Sequence, residues 1–272
     1  MGAEQCIDPK SSGRQPDRAV WLFKRFTGAV SMSYIVVSKH ETWAHLRIDR
    51  AEKRNAMNQS ARLDLLAALE TLAGHVNAVV ITGSDQWFCC GVDIKERAQF
   101  LAEGRQDTAA QEGIDLAMAI REFPGVVIAA VNGLALGYGV NLVNACDLAV
   151  GSEHARFGLP ELKSAAFASM SAATSHLSGL NRKRLGWMLF NTEPVDAELA
   201  LSWGLLNEVI PAGNLDSRVR ELAGKIGQFD RQVLNETKYA LAKLPEFTTD
   251  WRAALNYGQD VAARIKSRIA TP

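Results

Sequence analysis

Two short apolar runs, each stopped by glycine chemistry, constrain this chain more than any other feature. Ala78–Thr82 ends at Gly83, and Val126–Val131 ends at Asn132–Gly133. Runs this short, without polar alternation, leave no face for solvent. They read as strands buried on both sides, as in sheets covered by helices. Gln59–Leu72 (Leu63, Leu66, Leu69, Leu72) and Thr108–Phe123 (Ile114, Ala117, Ile120) carry apolar residues at helical spacing. Strands therefore alternate with crossover helices, and the fold class is α/β.

Upstream, Tyr34–Ser38 and Thr42–Ile48 predict a strand pair joined tightly across Lys39–Glu41, with Ala44, Leu46 and Ile48 on one face. From about Ala168 onward strand signals nearly vanish. Helical patterns follow over Arg182–Phe190, Asp196–Trp203, Leu215–Gln228, Arg231–Ala242 and Asp250–Arg268, with Asp196 and Asn214 at N-cap positions. The organisation is an N-terminal extension (1–31), an α/β core (32–210) and a C-terminal helical region (211–272).

Apolar residues make up 47% of the 272, enough for a large core. Thirty basic residues balance 30 acidic ones, so no net field draws nucleic acid or an anionic membrane, and an anionic ligand must be met by local donors. No stretch approaches the roughly 18 apolar residues of a membrane span. Residues 1–31 hold Pro9, Pro16 and several arginines and lack an apolar stretch followed by a small-residue cleavage site. They read as a disordered or upstream-start extension, with Met32 opening the folded part. Cys6, Cys89, Cys90 and Cys146 lack the spacing of a zinc site or a disulfide framework; a reducing cytoplasm and no metal are expected. His40, His45, His75, His154 and His176 fall in no Ser/Asp or metal pattern.

Three glycine-bearing segments carry the chemistry: Trp87–Lys95, Val131–Asn141 and Phe157–Glu161. A glycine turn followed by a helix start exposes unpaired backbone N–H groups where negative charge is favoured. Two such sites facing each other make an oxyanion hole.

Together with Arg54-Asn55-Ala56-Met57-Asn58, the segments Cys90–Lys95, Ala129–Asp147 and Phe157–Glu161 resemble, in order and spacing, the signature set of the crotonase (enoyl-CoA hydratase/isomerase) superfamily. The resemblance covers roughly residues 33–265. It implies a superhelix of repeated ββα units with C-terminal helices that build a homo-trimer or a hexamer, a dimer of trimers. It implies an acyl-CoA substrate, coenzyme A being part of that substrate, and no separate cofactor. In the family two backbone N–H groups hold the thioester oxygen, and position by position they fall on Val92 and Tyr138. Val92, Asp93, Ile94 and Lys95 run beside the pantetheine and adenine, and Ala56 lines the nucleotide side. Tyr138 stands where the family usually has glycine, so it narrows the acyl pocket or adds a hydroxyl to it. Apart from the resemblance, the six tryptophans read mostly as core or helix-interface residues, with Trp87 the one that could touch substrate. Family members commonly continue into a last helix that reaches a neighbour's CoA, which leaves nucleotide binding here looser or supplied otherwise.

The physics of such a hole is independent of the family. A thioester α-proton is too weakly acidic to leave at neutral pH unless the enolate oxygen is stabilised, and one lost donor costs roughly 10²–10³ in rate. Family hydratases use two glutamates; here the first position is Asn141 and the second Glu161, twenty residues on. Asn141 cannot ionise. Hydration needs a group to activate water and a group to protonate carbon, whereas moving a double bond needs one base that takes a proton from one carbon and returns it to another. The expected activity is therefore double-bond isomerisation with Glu161 as the shuttle. Hydration by Glu161 with water oriented by Asn141 is the alternative. Other thioester chemistry would need a further acid or nucleophile such as Tyr138 or His176, and a weakly catalytic acyl-CoA binding homologue is a third reading. Asp93 also suits an N-cap, and Lys95 a solvated surface.

Overall fold

The computed structural model describes residues 28–247 and 251–269. Its larger sheet is built from β1 (Gly28–Ser31), β2 (Ile35–Lys39), β3 (Trp43–Ile48), β4 (Ala78–Thr82), β6 (Val126–Val131), β8 (Leu148–Ser152) and β11 (Glu208–Ile210), in that spatial order. The first two pairings are antiparallel and the rest parallel. A smaller sheet holds β5 (Trp87–Cys89), β7 (Leu134–Leu136), β9 (Arg156–Gly158) and β10 (Val195–Asp196), in the order β10-β9-β7-β5.

The helices are α1 (Gln59–Leu72), α2 (Ile94–Ala102), α3 (Ala109–Arg121), α4 (Tyr138–Ala145), α5 (Ser169–Leu177), α6 (Arg182–Asn191), α7 (Ala197–Trp203), α8 (Leu215–Gly227), α9 (Arg231–Lys243) and α10 (Trp251–Ile269). The mixed architecture is the α/β fold expected, and β4, β6 and α1 have the expected bounds.

Both faces of the central strands are buried, and the pleat sorts their residues. Val79, Ile81, Val127, Ala129 and Val131 enter the main core with α1, α3 and α4. Ala78, Val80, Ile128 and Ala130 point the other way and are covered by Leu215, Val219, Ala223 and Ile226 of α8. A strand buried on two faces has no polar position to spare, hence the uninterrupted runs. Ala44, Leu46 and Ile48 do share the main-core face.

Three expectations need correction. Residues 28–31 belong to the fold, because β1 pairs with β2 from Gly28↔Lys39 to Ser31↔Val36; residues 1–27 lie outside those described. Asn214 makes no side-chain cap, because a 3-10 turn over Ala212–Asn214 runs straight into α8. Asp196 does cap α7, accepting from Leu199 N. Finally, strands continue past Ala168, since β10 and β11 each add one strand to a sheet, too short to show a periodicity of their own.

Candidate active site

The smaller sheet positions the site, and glycine makes its close approaches possible. A Cβ on Gly133 would lie 1.9 Å from Gln86 O, and one on Gly139 would lie 2.0 Å from Cys89 O. Backbone atoms cannot yield to that overlap, so the start of α4 rests directly on β5 only because residue 139 has no side chain. The two glycine turns are thereby brought face to face: a Cβ on Gly91 would sit 4.0 Å from Tyr138 N.

The donors follow from this geometry. Met57 N–H donates to Gly91 O at 2.8 Å and Asp93 N–H donates to Met57 O at 3.2 Å, forming a parallel bridge between Met57 and Val92. In such a bridge the N–H of Val92 itself faces the opposite edge. Tyr138 is the first residue of α4, where an N–H has no helical acceptor. Among the described residues neither amide has a backbone partner.

Glu161 comes to the same turn. Gly137 N–H donates to Gly158 O at 2.9 Å, locking the end of β7 to the end of β9. Pro160 then opens a 3-10 turn with Glu161 in its first residues. A Cβ on Gly137 would stand 2.7 Å from Glu161 Oε1, and the φ/ψ of Gly137, 51°/−113°, suits no other residue type. The carboxylate thus occupies the space that the missing Cβ leaves. Glu161 is half-buried and its Oε2 has no hydrogen-bond partner. Burial raises its pKa above the ordinary carboxylate range, in the direction that makes a better base near neutrality.

Asn141, one helical turn after Tyr138, is 0% exposed, and neither Nδ2 nor Oδ1 has a hydrogen-bond partner. Its amide lies near enough to favour the phenolate of Tyr138 slightly, without hydrogen-bond geometry, while burial pushes that phenol strongly up. The Tyr138 hydroxyl donates to Gly113 O at 3.1 Å. It is therefore engaged rather than presented as a free group. Its ring packs where a Gly113 Cβ would be, 3.0 Å from Cε2, with the Met170 thioether at 3.2 Å on the same spot.

The remaining expected residues surround this centre. Asp93 caps α2, accepting from Lys95 N and Glu96 N, and pairs with Arg50 at 2.8 Å. Burial alone would raise the Asp93 pKa, but Arg50 and the two amides outweigh it and hold the carboxyl low. Ile94 and Lys95 are exposed and Ala56 is half-buried. Asn55 is fully buried: its Nδ2 donates to Ser84 O and Trp87 O, and its Oδ1 accepts from Arg50 N, fixing the 50–58 loop. Arg54 lies over the Trp87 ring, 5.5 Å from its centroid. Of the other nucleophile candidates, His176 is exposed at the last turn of α5. Burial pushes the Cys89 and Cys90 thiols up to about 12 and about 11, so neither is a ready thiolate.

Some neighbours had no sequence signal. Arg62, 2% exposed, pairs with Glu112 at 2.8 Å, and Gln59 and Thr108 bond the same carboxylate, which stays ionised and satisfied. Ser171 reaches Gly137 O from α5. A cavity of about 1060 Å³ opens elsewhere, between α9 and the ends of α3, α4 and α5, and contains none of Val92, Tyr138 or Glu161.

The chain is similar to known proteins over most of its length. The enoyl-CoA hydratase/isomerase family profile matches residues 38–257. The chain is 31% identical over 218 residues to the 2,3-dehydroadipyl-CoA hydratase of Escherichia coli, covering 79% of this chain and 84% of that protein. It is 32% identical over 193 residues to mouse enoyl-CoA hydratase domain-containing protein 3, mitochondrial, covering 69% of this chain and 63% of that protein. The crystal structure of an enoyl-CoA hydratase from Mycobacterium smegmatis superposes with a TM-score of 0.77 at 29% identity, over 85% of this chain and 90% of that one. The chain belongs to the enoyl-CoA hydratase/isomerase family of the crotonase superfamily and is an acyl-CoA enzyme of that family.

Proposed function

We propose that the chain isomerises the double bond of an enoyl-CoA thioester. The observation that carries this is the Glu161 carboxylate, half-buried against the turn that bears the Tyr138 N–H, with neutral Asn141 where a second carboxylate would be. The thioester oxygen lies between the Val92 and Tyr138 amides, so negative charge gathers on it as the enolate forms. Glu161 takes the proton from C2 of a 3-enoyl thioester. The pair moves to C2–C3, and the proton returns at C4. Ala56, Asp93, Ile94 and Lys95 flank the CoA moiety, with no further cofactor.

The second reading is hydration, the activity in the names of several relatives. Asn141 supports it, because two orphaned polar atoms at a fully buried position suit an ordered water. Assaying 3-enoyl and 2-enoyl thioesters with the natural chain and Glu161→Gln separates them. Isomerisation exceeding hydration and lost in the variant supports the proposal; unchanged turnover in Glu161→Gln rules out both. Binding of acyl-CoA without turnover of either series would leave the binding-protein reading. A homo-trimer or hexamer belongs to the same proposal: Phe167, Leu177, Trp187 and Phe190 on and around α5 and α6 are exposed apolar residues suited to a subunit interface.

A further inference from the structure

We infer that Ser171 is a positioning residue of the oxyanion hole, acting through the Gly137–Tyr138 peptide to orient and polarise the Tyr138 N–H. This rests on the proposed role of that N–H. Ser171 is 4% exposed, and its Oγ–H donates to Gly137 O at 2.8 Å. The carbonyl and the Tyr138 N–H belong to one planar peptide group, so whatever fixes the oxygen fixes the direction of the N–H.

Satisfying a lone carbonyl does not explain the contact. Gly137 O already accepts from Val140 N–H at 2.9 Å and Asn141 N–H at 3.2 Å, the ordinary bonds of a helix start. Ser171 is a third donor to an oxygen with two lone pairs. Each donor draws peptide electrons toward oxygen and leaves the N–H more positive. Such cooperative strengthening is about 10–30% per bond.

The serine is not isolated. Ser171, Ser175 and Ser178 recur at helical spacing along one face of α5 and its cap, and all face α4. Asn144 Nδ2 donates to Ser175 Oγ at 2.9 Å and Ser178 Oγ donates to Asn144 O at 3.2 Å. This polar seam fixes α5 against α4 along its length, and Ser171 is the member that reaches the site. Ser178 offers a control that belongs to the seam but does not touch the peptide.

The test compares Ser171→Ala, Ser171→Thr, Ser171→Cys and Ser178→Ala for turnover of enoyl-CoA thioesters. It also reads the shift in the carbonyl band of a bound arylacryloyl-CoA, a spectroscopic measure of polarisation. Ser171→Ala is expected to lower kcat about tenfold, a fraction of what a whole oxyanion donor supplies, with KM within about twofold. The carbonyl shift should shrink, whereas Ser171→Thr, which keeps the hydroxyl, should retain both rate and shift. Ser171→Cys keeps the volume with a weak donor and decides the matter if the alanine variant does not fold: it should also lose rate and shift. Ser178→Ala should leave both unchanged. Full rate and full carbonyl shift in Ser171→Ala or Ser171→Cys would overturn the inference while leaving the oxyanion hole standing. A natural chain that binds the probe with no carbonyl shift would remove the hole itself, and the inference with it.

Discussion

Gly137→Ala should separate activity from stability more sharply than any other single change. The new methyl lands 2.7 Å from Glu161 Oε1, and the obstacle is the end of a side chain, which can swing away. The cost to the fold is then mainly backbone strain at φ 51°, ψ −113°, about 1–3 kcal/mol. For a chain of this size that lowers Tm by roughly 2–4 °C per kcal/mol. The cost to chemistry is larger. On the proposed mechanism Glu161 then leaves its place beside the thioester, and a displaced general base costs about 10²–10⁴ in rate. Turnover of an enoyl-CoA thioester and a thermal melt on the same preparation give the two quantities. A variant that melts several degrees lower yet retains turnover within about threefold would refute the placement of the base, because its carboxylate cannot remain where it is beside a residue 137 with a Cβ. Gly139→Ala makes the contrast: its methyl meets Cys89 O at 2.0 Å, main chain against main chain, and the fold itself should fail.

Asn141→Leu replaces two buried, unpartnered polar atoms with hydrocarbon of similar size, so Tm should rise by the equivalent of about 1–3 kcal/mol while turnover falls if the amide serves the substrate; a lowered Tm contradicts the orphaned state. Tyr138→Ala removes the ring that fills the space beside Gly113 and Met170, and kcat/KM should shift toward longer or bulkier acyl groups across a thioester series; an unchanged preference places the acyl chain elsewhere. His45 is held down to about 4 by burial, against which nearby Asp216 works only in part. Its folded pKa lies below its ordinary 6.5, so the folded state resists protonation, and stability that is full above pH 6.5 declines as pH falls toward 4. About 3 kcal/mol is at stake, and denaturant unfolding at stepped pH should show that slope in the natural chain and not in His45→Phe. Lys238→Met should cost roughly 3 kcal/mol, because Lys238 Nζ bonds Asp147 at 2.8 Å and the carbonyls of Ile120, Phe123 and Gly125, and its loss leaves the Asp147 carboxylate, which also accepts from Val127 N–H, without its paired ammonium. Calorimetry reads that loss.

The large sheet is legible in the sequence because strands buried on two faces cannot hide their pattern: Ala78–Thr82 and Val126–Val131 admit few alternatives. The second sheet left no such trace. Trp87–Cys89, Leu134–Leu136 and Arg156–Gly158 are too short for alternation to register, and their pairing depends on glycines whose importance lies in what the chain elsewhere places against them. The site shows the same division. Glycine turns and a Pro-Glu step announce the two amides and the carboxylate. That Gly137 is bare to admit Glu161, or that Ser171 grips its carbonyl from thirty-four residues away, is a tertiary fact. The Asp147–Lys238 pair, ninety-one residues apart, is another.

The central claim concerns where a thioester oxygen rests, and a crystal structure with a non-reactive enoyl-CoA analogue bound tests it directly. The oxygen is predicted at about 2.7–3.1 Å from both the Val92 and the Tyr138 nitrogen, with the Glu161 carboxylate over C2 and within reach of C4. A bound thioester whose oxygen meets neither amide, or a Glu161 turned away from the acyl carbons, would contradict it.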